Sequence, residues 1–131
     1  MPRALDQQTA LITGASRGVG AATAWQLAQA GCRVAINYHQ SADEAETVAS
    51  QCREAGVEAI LVPGDVAENT ACRRMVAQTL ETFGGLDILV NNAGTTRFID
   101  FQDLPKLRTW TWWVVNCLSR ASSNRSISPA C

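Results

Sequence analysis

"TALITGASRGVG" runs from Thr9 to Gly20, and its reading decides the fold. "TALIT" (Thr9 to Thr13) is a short β-prone apolar run. Its lack of alternation suits a strand covered on both faces in a parallel sheet. Gly14 stops it. From Arg17 to Ala30 the residues turn alanine-rich and helix-favouring, with Trp25, Leu27 and Ala28 among the apolar positions, and Gly31 stands where a helix ends. Between strand and helix the glycines fall as G-x-x-x-G-x-G at Gly14, Gly18 and Gly20. Gly14 permits the sharp turn off the strand, Gly18 lets the backbone approach a pyrophosphate, and Gly20 allows the helix to pack closely on the sheet. The pyrophosphate would rest on the free N–H groups of the helix's first turn. The Gly-Lys-Ser/Thr ending of a Walker A loop is missing, which excludes that alternative.

The same unit repeats outward from this stretch. "CRVAIN" is a second strand, and Ser41 is placed to N-cap a helix running to Ala55, with Glu44 completing a capping box. "VEAILV" is a third strand, ended by Pro63 and Gly64. Glu68 to about Phe83 is an amphipathic helix closed by Gly84 and Gly85, and "LDILV" is a fourth strand. Strands alternating with helices predict an α/β domain, a parallel sheet with right-handed crossovers and helices on both faces. Past the fourth strand the regularity stops. "TTRFIDFQDLP" reads as a loop, Pro105 opens a helix that includes Trp110 to Val115, and residues 118–131 read as an irregular, disordered tail after a 1–117 domain.

Composition narrows the function classes. The chain has 131 residues, 47% hydrophobic and 18% charged, with a formal net charge of −1. That is one ordinary globular domain, with no electrostatic reason to expect nucleic acid or an anionic membrane as partner. No apolar run approaches the roughly 20 residues that span a bilayer, and "MPRALDQQTA" lacks the apolar core of a signal peptide. The 5 cysteines are odd in number and scattered, without a C-x-x-C pair. This argues against a disulfide framework or a zinc site, and a cytoplasmic setting is the expectation.

Three motifs in order, "TGASRGVG", "GDV" (Gly64 to Val66) and "NNAG" (Asn91 to Gly94), resemble the short-chain dehydrogenase/reductase family, closest to ketoreductases of the 3-oxoacyl-carrier-protein reductase type. The resemblance covers about residues 5 to 115. It implies a Rossmann-like doubly wound sheet in the order 3-2-1-4, truncated after the fourth strand, and a dinucleotide cofactor as partner. It carries over Gly14, Ser16, Arg17, Gly18, Val19 and Gly20 to the pyrophosphate cradle. Asp65 and Val66 go to the adenine ring, and Asn92, Ala93 and Gly94 to the cofactor's ribose and the support of the central strand. For Asp65 a turn residue or helix cap is the competing reading, and for Arg17 a solvated loop charge.

The second strand ends "INYHQS", with Tyr38 where an acid would accept from the ribose hydroxyl of NAD, and no acid before Asp43. A carboxylate there would repel a 2′-phosphate carrying roughly −1.5 to −2 charges. NADP is therefore favoured over NAD, with Arg17 as the fork-shaped partner of the phosphate and His39 and Ser41 as secondary contacts.

The chemistry the resemblance implies is hydride transfer between nicotinamide and a carbonyl, with a tyrosine as general acid, a lysine four residues later and a serine orienting the carbonyl. Here Tyr38 is the sole tyrosine and Lys106 the sole lysine, so the Tyr-x-x-x-Lys pair is absent and no catalytic residue is assigned. The family's tryptophan-to-asparagine spacing of seven, counted from Trp110, reaches Cys117, with Asn116 one residue early. The chain reads as the cofactor half of a ketoreductase, inactive alone, interrupted by a break in frame or gene after the fourth strand. The alternative is a non-catalytic nucleotide-binding or interaction module that pairs with a full-length relative. Self-association through an uncovered fourth strand and the tryptophan-rich segment is a further expectation.

Overall fold

The computed structural model describes residues 2–94. The tryptophan-bearing helix, Asn116 and the boundary between 1–117 and 118–131 lie outside the described residues. The elements run β1 (Thr9–Ile12), α1 (Gly18–Gln29), β2 (Arg33–Tyr38), α2 (Ala42–Glu54), β3 (Ala59–Pro63), α3 (Asn69–Phe83) and β4 (Ile88–Val90). All pairings are parallel, as the alternating strands and helices predict, and the strand order is β3-β2-β1-β4, as the family resemblance implies.

The period-2 alternation of side chains along each strand distributes the helices. Ala10 and Ile12 of β1, with Val34 and Ile36 of β2, pack against Ala24 and Ala28 of α1 and Ala45, Val48, Ala49 and Cys52 of α2. Leu11 and Ala35 point the other way, into a cluster with Val62 and with Met75, Val76 and Phe83 of α3. β1 is buried at all four positions, which explains its unalternating apolar sequence. Small residues at the α1–β1 contact let helix and strand approach closely, while a large side chain such as Leu11 contributes about 1.5–3 kcal/mol by burial on the opposite face.

Element ends follow the sequence to within two residues, β3 and β4 beginning at Ala59 and Ile88 where Val57 and Leu86 were expected, and one expected cap does not form. α3 closes on Gly84, whose φ of 77° lets its N–H reach Leu80 O at 2.8 Å. α2 begins after Ser41 as expected, but no capping box forms, because neither side chain turns back on the helix. Instead Ser41 Oγ accepts from Arg17 Nη2 at 3.3 Å, and the Glu44 carboxylate lies 3.7 Å from Arg17 Nε. A guanidinium from the neighbouring loop offers a charged donor, and charge-assisted contacts are stronger than neutral ones.

Residues ahead of β1 tie down the opposite end of the sheet. Leu5 N–H donates to Ala30 O and Arg3 Nη1 to Ala55 O, both at 2.8 Å, satisfying carbonyls at the C-terminal ends of α1 and α2. Cys32, Cys52 and Cys72 are free and buried. Burial pushes the Cys32 and Cys52 thiols up to about 11, so both stay neutral and pack as small apolar groups. Among the described residues no helix is long and apolar enough to cross a membrane, and no group of three or more His, Cys, Asp or Glu could hold a metal ion.

Candidate functional site

The loops leaving the C-terminal ends of β1, β2, β3 and β4 open on one edge of the sheet. The chain winds from β1 outward to β3 and then returns to β4 on the other side of β1. That reversal makes a crevice at the strand ends, the general location of ligands in open α/β sheets. Every sequence-predicted site residue lies on these loops or on the first turn of α1.

Two buried polar side chains shape the glycine loop. Asn37, at 2% exposure near the end of β2, accepts from Gly14 N–H through Oδ1 at 3.1 Å. Its main-chain oxygen takes the Ala15 N–H at 2.9 Å. Asn37 Nδ2 donates to Val62 O at 3.0 Å and Gly64 O at 3.1 Å, joining the same carboxamide to the end of β3. On the β4 side, Thr13 is 1% exposed, and its Oγ1 donates to Val90 O at 3.3 Å. The same oxygen accepts from the N–H groups of Asn92 and Ala93, each at 3.0 Å. Asn92 Nδ2 closes the ring by donating to Gly14 O at 3.1 Å.

Glycine is required in this clamp by space as well as by conformation. Gly14 has φ of 61°, and a Cβ there would stand 2.9 Å from Ala93 Cα. A Cβ on Gly20 would stand 2.5 Å from Gly14 O and 2.6 Å from Asn92 Nδ2. The close approach at Gly20 is thus between α1 and the clamped loop, a tighter constraint than the helix-on-sheet packing expected from sequence. A Cβ on Gly18 would meet nothing within 4 Å, so this glycine faces open space.

The open space is lined by donors. The amides of Ser16, Gly18, Val19 and Gly20 have no acceptor among the described residues. α1 has no side-chain cap and no acid in its first turn, so the positive end of its dipole is uncompensated. Val19, 75% exposed, sets an apolar side chain beside these donors. The cradle suits an anion with an apolar neighbour.

The flanks are occupied differently. Asp65 Oδ1 accepts from Ala67 N–H at 2.9 Å, and Asp65 O accepts from Glu68 N–H at 3.0 Å. The turn-residue reading of Asp65 therefore describes its present bonding. Its second oxygen, Oδ2, lies 3.9 Å from His39 Nε2, across the gap between the β2 and β3 loops. Val66 packs partly into the α3-side core, and Gly94 is exposed at the end of the described residues. Arg17 extends from the glycine loop over the end of β2 to Ser41 and Glu44.

Asn37 and Thr13 were not singled out from sequence. The signal for Asn37 was present, because an amide inside the apolar run "VAIN" must find hydrogen-bond partners once buried. Replacing it with the similarly sized leucine (Asn37→Leu) strands Gly14 N–H and Gly64 O. We expect a loss of roughly 3 kcal/mol, at about 1–3 kcal/mol per unsatisfied group, in denaturant unfolding. Unchanged stability would show that the loop holds its shape without Asn37.

Comparison with known proteins agrees with this geometry. The short chain dehydrogenase family model matches residues 8–130. A 3-oxoacyl-acyl-carrier-protein reductase of Staphylococcus epidermidis is 43% identical over 90 residues, which are 69% of this chain and 37% of that protein. A reductase of the same name from Synechocystis is 47% identical over 94 residues, 72% of this chain and 38% of the relative. The L-rhamnose 1-dehydrogenase (NAD(P)(+)) of a Sphingomonas species is 44% identical over 101 residues, 77% of this chain and 40% of that protein. Among solved structures, a short chain dehydrogenase from Burkholderia cenocepacia in complex with NADP superposes with a TM-score of 0.80 at 40% identity, covering 91% of this chain and 51% of that one. A short-chain dehydrogenase/reductase from Serratia marcescens gives 0.80 at 37% identity, with 94% and 51% covered. The chain thus spans about two fifths of the curated relatives it matches and half of the solved chains. On the family match and on a fold shared at this identity, the chain belongs to the short-chain dehydrogenase/reductase family.

Proposed function

We propose that this chain is the NADP(H)-binding portion of a ketoreductase. The observation that carries the reading is the clamped glycine loop. Among the described residues its outer amides have no acceptor, and Arg17 lies beside a β2 end that carries Tyr38 where an NAD-holding acid would stand. When bound, the cofactor would supply or accept the hydride exchanged with a carbonyl or alcohol.

The chain's own residues would bind and orient it. The amides of Ser16, Gly18, Val19 and Gly20 receive the pyrophosphate, which the α1 dipole also favours. Asp65 and Val66 border the adenine, and Asn92, Ala93 and Gly94 border the ribose beyond the loop. Arg17 meets the 2′-phosphate, helped by Ser41 and His39, and Tyr38 offers that phosphate no repelling carboxylate. The name of the Burkholderia relative's ligand and the reductase names of the curated relatives support the cofactor and the carbonyl chemistry. These 131 residues hold no Tyr-x-x-x-Lys pair, so they do not complete a proton-donating site by themselves.

Calorimetric titration of the pure chain tests the binding. NADP(H) should bind more tightly than NAD(H), and Arg17→Ala should weaken NADP(H) by about tenfold, the loss of one charge-assisted contact of roughly 1.4 kcal/mol, while sparing NAD(H). Equal losses for both cofactors would place Arg17 on the part they share. NADPH-dependent carbonyl reduction by the pure chain would overturn the inactive reading.

We also infer that the chain self-associates. The support is that among the described residues β4, uncharged and proline-free, pairs only with β1, and an unpaired strand edge is a template for another chain. Light scattering on the untagged chain after size exclusion should report more than a monomer, and a stable monomer would contradict this.

A further inference from the structure

Arg17 reaches the proposed phosphate site already engaged. Its Nε lies 3.7 Å from Glu44 Oε2 and its Nη2 donates to Ser41 Oγ at 3.3 Å. Both partners belong to the start of α2, so the guanidinium bridges the β1 and β2 loops across the entrance to the crevice. The two charged side chains are open to solvent, 73% exposed for Arg17 and 53% for Glu44, so water and a ligand both have access to the pair. Ser41 is a neutral partner that can share Arg17 with an anion. Glu44 is a charged one that competes for it.

We propose that Glu44 is a specificity-determining residue. Its carboxylate occupies Arg17 in the free chain and must yield the guanidinium to an incoming ribose 2′-phosphate, which limits the preference for phosphorylated over unphosphorylated dinucleotide. The inference rests on the NADP reading above and deepens it. The absence of a capping box is part of the argument, because a Glu44 side chain turned back on the α2 backbone would leave Arg17 free. An incoming phosphate loses attraction to an Arg17 that is already paired and gains repulsion from the carboxylate. NAD carries no charge at that position and is indifferent to both effects. The neighbouring charges do not replace this role. Asp43 sits on the same first turn without an ion pair to Arg17, and the Asp65 carboxylate faces His39.

The test is Glu44→Gln, which keeps the shape and removes the charge. Titration of the chain with NADP and NAD separately should give NADP binding tighter by about fivefold, the equivalent of roughly 1 kcal/mol for one close exposed charge pair. NAD binding should be unchanged and the thermal melt little altered. The gain should shrink below about twofold in an Arg17→Ala background and fade as salt is raised. Glu44→Asp, which retracts the carboxylate by one methylene, should lie between wild type and glutamine. An unchanged NADP-to-NAD ratio in Glu44→Gln overturns the inference and leaves the cofactor reading intact. Weaker NADP binding also overturns it, by showing that Glu44 holds Arg17 ready instead of competing for it. Failure of the wild-type chain to bind either dinucleotide overturns both.

Discussion

At the end of β1 the backbone turns out of the sheet, and the N–H of Gly14 loses the ladder partner a strand would give it. The Asn37 carboxamide takes that N–H at 3.1 Å and hands its own two protons to the carbonyls of Val62 and Gly64. A buried backbone donor has to be satisfied, and here its acceptor belongs to the neighbouring strand. The shape of the loop after β1 is therefore fixed by β2 and β3 as well as by its own glycines. On the far side Thr13 and Asn92 make the corresponding link to β4. The four strand ends are joined by polar bonds into one rim, and the outer amides of the loop have no acceptor among the described residues.

This arrangement explains why the site is an edge property of the sheet. Parallel pairing at the register Ala10↔Ile88 and Leu11↔Ala35 brings the ends of β1, β2 and β4 to the same level. The two apolar clusters on either face then hold that register, because a one-residue slip would send Leu11 and Ile12 to the wrong helices. Core packing places the loops, and buried hydrogen bonds shape them. At the solvent rim of the site Arg17 faces Glu44, and His39 faces Asp65.

The elements, and their limits to within two residues, were legible in the sequence because each rests on a local signal. Apolar runs gave the strands, the glycines after α1, α2 and α3 gave the helix ends, and the repeat gave parallel pairing. The family resemblance gave the order β3-β2-β1-β4. The loop residues were legible too, since the glycine spacing has a steric reason that a strand and a helix on either side make specific. What escaped was the long-range polar wiring. Asn37 bonds to Gly14 and Gly64 across gaps of 23 and 27 positions, and no local pattern marks such partners. The Ser41–Glu44 spacing misled for the same reason, because a capping box is a local inference and the competing Arg17 arrives from another loop. Asp65 takes the turn bonding that its competing reading expected. One oxygen closes the turn into α3 while the other lies 3.9 Å from His39 Nε2.

The central claim is that the loop is shaped before any ligand arrives, with its inner amides bonded and its outer amides open. Hydrogen exchange followed by NMR on the ligand-free chain, repeated with NADP, tests it most directly. The amides of Gly14, Ala15, Asn92 and Ala93 should exchange slowly without ligand, at rates near those of β1. Those of Ser16, Gly18, Val19 and Gly20 should exchange fast until NADP is added and then slow together. Fast exchange at Gly14 and Ala15 in the free chain, or no protection of the outer amides by NADP, would contradict the account.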